Sequence, residues 1–230
     1  RRSYLMFDPT APSSRGKTRD LLDFKESLSP IQQRQIAFVR RSFEPGPLDR
    51  AVRLAQKRGF PAPLARWHDV RDEVYHDVFT NFWDPKQRTF AQAKGSTALD
   101  ASALLIPLIR FISPTDPRWI STLRAIEQRL VSDSLVYRYR LADGFTDGLV
   151  GDEGTFSMCS FWYVECLSRM GDVEQARFYF EKMLGYANHL GLFGEQLGRR
   201  GEHLGNFPQA FTHLALISAA YDLVRRLSAQ

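Results

Sequence analysis

The sequence predicts an all-α protein in which an inner set of helices is wrapped by an outer set. Three observations carry this. Segments that are apolar nearly all round (98–112, 156–170 and 207–227) alternate along the chain with amphipathic ones (62–82, 117–131 and 172–190). A helix apolar on every side is buried on every side, whereas a single apolar stripe covers such a helix from outside. A solenoid of helix pairs would alternate too, but it should repeat at a fixed period, and this chain does not. Finally, the loops before the apolar helices are Gly-rich and carry Lys94, Arg138, Asp152, Glu153 and Glu195. A ring of hairpins would gather these groups at one end, over an apolar funnel suited to a ligand.

The elements follow in order. Residues 1–46 are Arg-rich, contain Ser and Pro, and sustain no long hydrophobic period; only Ile31 to Val39 suggests a short helix. The Phe43-Glu44-Pro45-Gly46-Pro47 cluster should break any helix. We read this segment as a loosely ordered tail, set apart from a body at 48–230. Leu48, Val52, Leu54 and Ala55 mark an amphipathic helix that stops near Gly59. Leu64, Trp67, Val70, Val74, Val78 and Phe82 recur at threes and fours in a second, longer one.

Thr97, with Asp100 three residues on, is the expected cap of a helix from Ala98 to Ile112, bent by Pro107. Asp116-Pro117 starts the next helix, with Trp119, Leu123, Ile126 and Leu130 inward. Leu135 to Arg140 alternates like a short strand. A Gly/Asp loop from Asp143 to Gly154 leads into an apolar helix, 156–170, whose Phe156, Phe161 and Trp162 read as core. Asp172 caps a charged amphipathic helix that runs to about Leu190. The last helix, Phe207 to Leu227, has Asn206 as its expected cap, Pro208 in its first turn and Gln209 reaching back.

Charge and cysteines exclude some classes. Residues 1–46 hold nine Lys and Arg against five Asp and Glu, and so carry +4 of the chain's +5. The body has no basic stripe, which argues against nucleic acid as a partner. Cys159 and Cys166 are seven apart on one helical face and read as reduced core residues, and no Cys/His metal spacing occurs. No apolar run reaches a membrane span and no signal-peptide core is present, so neither a membrane partner nor export is expected, and a cytoplasmic location is.

The loop Gly191-Leu192-Phe193-Gly194-Glu195-Gln196 is the most informative stretch. It places a carboxylate just before a helix N-terminus, among glycines that let backbone approach a ligand. An isolated Glu in a turn is ordinarily a solvated surface group. Four other phrases change that reading. They are Gly95-Ser96-Thr97-Ala98-Leu99-Asp100-Ala101-Ser102; Val136-Tyr137-Arg138-Tyr139; Asp152-Glu153-Gly154-Thr155-Phe156 with Cys159-Ser160-Phe161-Trp162; and Leu204-Gly205-Asn206-Phe207-Pro208-Gln209-Ala210-Phe211-Thr212-His213. In this order and spacing the five resemble glycoside hydrolase family fifteen, the glucoamylase-type family, and in particular its bacterial glucoamylase and trehalase-like members. The likeness covers about residues 48–230, the C-terminal half of that family's catalytic domain.

The resemblance implies an (α/α)6 toroid, here in part, and inverting hydrolysis of terminal α-glucosidic bonds. The substrate would be an oligosaccharide or disaccharide, with no cofactor and no metal. Inversion needs two carboxyl groups roughly 6.5–9.5 Å apart, one protonating the leaving oxygen and the other deprotonating a water. By the family's pattern Glu195 is the general base, and Gln196 orients it or touches sugar. Arg138 matches a sugar-binding arginine, whose guanidinium forks onto hydroxyls. Glu153 lies at the mouth as a further binding residue, although a carboxylate beside a helix N-terminus has an equally good electrostatic account. His203 and His213 are expected to be structural or exposed.

One departure from the family is large. Its general acid is a Glu following Trp, and no Trp-Glu pair occurs in this chain. Asp8, Asp20, Glu26 and Glu44 lie where it would be expected, without the motif. The expectation is therefore a catalytically incomplete fragment, with residues 1–46 an atypical or out-of-frame segment. Its exposed apolar flanks should favour self-association. The alternative is a non-catalytic helical scaffold that binds carbohydrate or protein on the same face.

Overall fold

The computed structural model describes residues 45–140 and 153–229, with side chains from Leu48 onward. The rest of segment 1–46, with Asp8, Asp20, Glu26 and Glu44, and also Asp152, lie outside the described residues. Seven α-helices and seven two-residue strands follow one another within them.

Helix α1 (Pro45–Arg58) begins inside the expected breaker cluster, because proline is tolerated in a first turn, where its missing N–H has no helical partner. Gly59, at φ +65°, ends it, and Phe60 N donates back to Ala55 O at 2.9 Å. Val52 and Ala55 are buried, but Leu54 is exposed. Helix α2 (Leu64–Asn81) runs against α1 and buries Val74 and Val78, with Phe82 following. A hairpin of β1 (Trp83–Asp84) and β2 (Thr89–Phe90) comes next, turned by Asp84 Oδ1 accepting from Lys86 N. It packs Phe90 edge-on against Phe79 and Trp83.

The expected helix from Ala98 to Ile112 does not form. Residues 97–100 form no regular element, with Asp100 itself extended; a 3-10 turn covers Ala101–Leu104, and α3 (Leu105–Leu108) is a single turn. Asp100, not Thr97, is the cap: its Oδ1 accepts from Ser102 N at 2.7 Å. Pro107 has no N–H for the preceding turn, and Arg110 adopts φ +65°, which stops the helix. Helix α4 (Pro117–Leu130) is capped by Asp116 and buries Trp119, Leu123, Ile126 and Leu130 as its periodicity predicts. A hairpin of β3 (Val131–Ser132) and β4 (Leu135–Val136) follows. The strand does not continue to Arg140, because the next residues bond elsewhere. Tyr137 N donates to Leu130 O, and Ala101 N donates to Arg138 O.

The core centres on α5 (Ser157–Met170), buried on nearly every side. Phe156 and Phe161 are core as predicted, and Trp162 packs partly buried against it. Cys159 and Cys166 are free and buried. Gly171, at φ +106°, ends α5, and Asp172 caps α6 (Val173–Leu184) by accepting from Gln175 N. Helix α6 stops six residues short of Leu190. Asn188 Oδ1 accepts from both Leu190 N and Leu192 N at 2.9 Å, which offers the backbone an alternative to the helix.

Helix α7 (Ala210–Leu227) starts three residues later than expected. Gln209 is its N-cap, Pro208 precedes it, and Asn206 is engaged elsewhere. It buries Thr212, Ala215, Ala219, Asp222 and Leu223 but is not buried all round. Phe211, Leu214, Ile217, Tyr221 and Val224 form an exposed apolar face. Burial works against ionisation of Asp222, but hydrogen bonds from Arg226, Ser168 and Arg225, at 2.8–2.9 Å, outweigh it. They hold its carboxyl below the usual carboxylate range. Among the described residues no helix is long and apolar enough to cross a membrane.

Candidate active site

The site assembles around the first turn of α5. Three short strands, β5 (Thr155–Phe156), β6 (Gln196–Leu197) and β7 (His203–Leu204), form an antiparallel sheet there, with β6 central. β5 enters α5 directly and β6 follows Glu195. The sheet therefore joins the loop before α5 to the loop before α7, although their residues lie about forty apart in sequence.

Every backbone group around Glu195 is fixed. Its N donates to Asn206 O at 2.9 Å and its O accepts from Ser157 N at 3.1 Å. The two preceding amides are held by histidines: Phe193 N donates to His213 Nε2 at 3.3 Å, and Gly194 N to His203 Nδ1 at 2.9 Å. His213 Nδ1 faces Gln209 O at 2.7 Å and must donate to it, so Nε2 is the acceptor and this imidazole is the neutral Nδ1–H tautomer. Phe193 is buried edge-on against Phe161, at 5.3 Å between centroids, and anchors the loop in the core. Both histidines are therefore structural, as expected. Their particular role, flanking the candidate base, has no local signature in the sequence.

The Glu195 side chain is half-buried. Its Oε2 accepts from Asn206 N at 3.1 Å. Gly205 runs so close beside it that a Cβ there would lie 2.8 Å from Oε2 and 3.1 Å from the Glu195 Cβ. Backbone thus holds the carboxylate with one hydrogen bond and leaves its other oxygen unengaged by any hydrogen bond among the described residues. That suits a group that must accept a proton.

Gln196 is also placed by the sheet. Its Oε1 accepts from Gly154 N at 3.0 Å, so its carbonyl end braces the loop before α5. A Cβ on Gly154 would lie 2.7 Å from Leu197 O, which only glycine permits. Glu153, next in that loop, is half-buried and lines an open cavity of about 860 Å³ with Tyr137, Tyr139, Arg140 and Arg199. Neither Glu195 nor Arg138 lines this cavity. This hollow therefore lies beside the candidate catalytic group and does not contain it.

Arg138 is reached from α5 through Val136, whose N donates to Ser160 Oγ at 3.0 Å. Its Nε lies 3.8 Å from Asp100 Oδ2, in an ion pair, and its side chain is 43% exposed. The Cys159 thiol reports the local field. Burial pushes it well up, the Asp100 and Glu153 carboxylates add to this, and Arg138 opposes it. Arg138, Glu153 and Asp100 therefore share the start of α5. The sequence marked Asp100 only as the partner of Thr97 in a helix cap and not as a site residue; its place in the phrase Leu99-Asp100-Ala101-Ser102 was the available signal. Lys94 does not join them, because it is paired with Asp77 on α2 at 2.6 Å. Among the described residues no group of three His, Cys, Asp or Glu side chains could hold a metal.

Comparison with known proteins is consistent across sequence and fold. The profile of Glycosyl hydrolases family 15 matches residues 47–221. The trehalase of Mycobacterium tuberculosis is 45% identical over 179 residues, which are 77% of this chain and 26% of that protein. The trehalase of Thermoplasma acidophilum is 42% identical over 176 residues, 76% of this chain and 30% of that protein. The chain thus spans less than a third of the length of these relatives. Among solved structures, a glycosidase in complex with glucose superimposes with a TM-score of 0.66 at 21% identity, covering 80% of this chain and 52% of that one. A variant of a glycosidase gives the same TM-score at 22% identity, with the same coverage. The helices described above are thus part of the (α/α)6 glycosidase fold.

Proposed function

The chain belongs to Glycosyl hydrolases family 15, and from that premise we propose that Glu195 is the general base of an inverting hydrolysis at a terminal α-glucosidic bond. Trehalose is the leading substrate, because the curated relatives at 38–45% identity are trehalases. The single observation that carries this reading is the Glu195 loop. Glycines, two histidines and a strand hold one carboxylate at the mouth of the inner helices, with one oxygen unengaged by any hydrogen bond among the described residues. In the proposed step a water, deprotonated by Glu195, attacks the anomeric carbon from the face opposite the leaving oxygen. A carboxylic acid on the other side protonates that oxygen as the bond breaks. Arg138 binds sugar hydroxyls through its guanidinium, and Glu153 extends the binding surface. Gln196 holds the Glu153–Gly154 loop in place through Oε1 and offers its amide N–H groups to sugar.

The chain contains no Trp-Glu pair to supply the acid. General-acid catalysis contributes typically 10²–10⁴-fold, so the chain alone should be a slow hydrolase or only a sugar binder. The test is glucose release from trehalose, maltose and isomaltose by the purified chain, with Glu195→Gln as control. Release that the control lacks supports the base. Equal release from both sinks it. Binding of trehalose without release, unchanged in Glu195→Gln, favours the non-catalytic scaffold.

The proposal includes two further points. The exposed face of α7, with Phe211, Leu214, Ile217, Tyr221 and Val224 each 60–73% exposed, supports self-association. Light scattering over a concentration series tests it. A mass that stays monomeric, or that Leu214→Lys leaves unchanged, argues against it. A cytoplasmic location fits two buried, unpaired thiols.

A further inference from the structure

Asp100 is a buried carboxylate that the proposed reaction does not use. It is 3% exposed and stands, itself extended, in the stretch before the 3-10 turn. A buried charge is costly unless it is paired and hydrogen-bonded, so its partners show what it is for. Oδ1 accepts from Ser102 N at 2.7 Å. Oδ2 accepts from Gln92 Nε2 at 3.3 Å and faces Arg138 Nε at 3.8 Å. Gln92 is itself fixed, because its N donates to Ala98 O at 3.0 Å.

The same stretch grips residue 138 a second time, through its backbone. Ala101 N donates to Arg138 O at 2.7 Å. Two consecutive residues, 100 and 101, therefore hold the side chain and the carbonyl of a residue nearly forty positions away. A cap needs only Oδ1. Nothing in capping explains why Oδ2 is buried against an amide and a guanidinium.

The ion pair engages Nε, the inner nitrogen of the guanidinium. No hydrogen bond is made by the two Nη groups among the described residues. The carboxylate attracts the inner side of the guanidinium across 3.8 Å, beyond hydrogen-bond reach, and so leaves a planar fork for bidentate contact, with less freedom to lose when a ligand arrives. We propose that Asp100 is a positioning residue for Arg138, braced by Gln92, and that it presets the guanidinium for the hydroxyls of a terminal glucose. This rests on the reading of Arg138 as a sugar-binding group.

Asp100→Asn isolates the charge, because an asparagine oxygen still accepts from Ser102 N and keeps the cap. The first readout is the arginine Nε–H spectrum of ¹⁵N-labelled protein, with the Arg138 signal identified by its loss in Arg138→Lys. In the wild type the carboxylate 3.8 Å from Nε should shift this signal away from that of exposed Arg66, and Asp100→Asn should remove the shift. If Asp100→Asn fails to fold, Gln92→Met frees Oδ2 without touching the charge and should shift the same signal. An unmoved Arg138 signal in a folded variant overturns the proposal.

The second readout is glucose and trehalose binding in a double-mutant cycle. Asp100→Asn should weaken binding about ten-fold alone and add nothing in an Arg138→Ala background, because coupled residues are not additive. Additive losses would show that Asp100 does not act through Arg138. Binding absent from the wild type, or unchanged in Arg138→Ala, defeats the sugar-binding reading of Arg138 instead, and the spectrum still decides the positioning.

Discussion

Replacing Gly205 by alanine should damage the Glu195 site in a way that two separate numbers can resolve. Gly205 sits at φ +72°, in the left-handed region, where a side chain costs about 1–2 kcal/mol. It also lies against Glu195, and the new Cβ would fall 2.8 Å from Oε2 and 3.1 Å from Cβ of that residue. The carboxylate end can rotate away, but the Glu195 Cβ is fixed by backbone bonds on both sides. Relief therefore requires a shift of the loop, and overpacking of this kind costs roughly 1–3 kcal/mol. Gly191→Ala is the control: φ is +75° in the Glu195 loop itself, but nothing lies within 4 Å of its Cβ. The control should lose about 1–2 kcal/mol and Gly205→Ala about 2–5, at roughly 2–4 °C per kcal/mol for a chain of this size. Calorimetry gives both. Only Gly205→Ala should also lower hydrolysis or sugar binding, because displacement of a catalytic group by about 1 Å can cost on the order of 10²-fold. Equal losses of stability in the two variants, or an unaffected site in Gly205→Ala, would refute the contact as the cause.

Other outcomes follow from the buried polar groups. The Asp222 carboxyl is held below its ordinary value, so its contribution is present above about pH 3.9 and is lost as pH falls through its folded value. Asp222→Asn should cost about 1.5–3 kcal/mol at neutral pH and flatten the acid limb of the stability profile; an unchanged limb in urea titrations from pH 7 to 2 would contradict this. His213→Phe keeps a ring beside Phe193 but strands Phe193 N–H, which should cost about 1–3 kcal/mol, whereas Gln209 O still accepts from the backbone N of residue 213. Amide exchange at Phe193 should accelerate, and exchange as slow as in the wild type would mean that His213 does not hold the loop.

Much of this protein was legible from sequence where local chemistry decides. The caps Asp116 and Asp172 bond to backbone two or three residues away, so the residues that start α4 and α6 lie within the window a reader scans. The burial of α5 on all sides follows from its apolar run. The Glu195 loop stands out because its glycines are spaced as a turn requires. Its chemical role came from the likeness to a family, not from spacing.

Contacts across the chain decided the remainder. Asp100 lies in a sequence that reads as a helix start, but its carboxylate is committed to Gln92 and Arg138, and the expected helix shrinks to a 3-10 turn and one α turn. Gln196 bonds Gly154, and His203 and His213 hold the amides before Glu195, through pairings that a linear pattern does not record. Helix α7 makes the same point from the opposite side. Its composition states that it is apolar all round, yet its outer face is uncovered here. A hydrophobic period specifies which faces should leave water. What covers them, and which distant carboxylate or amide a side chain meets, depends on how separate segments pack, and only the tertiary structure determines that.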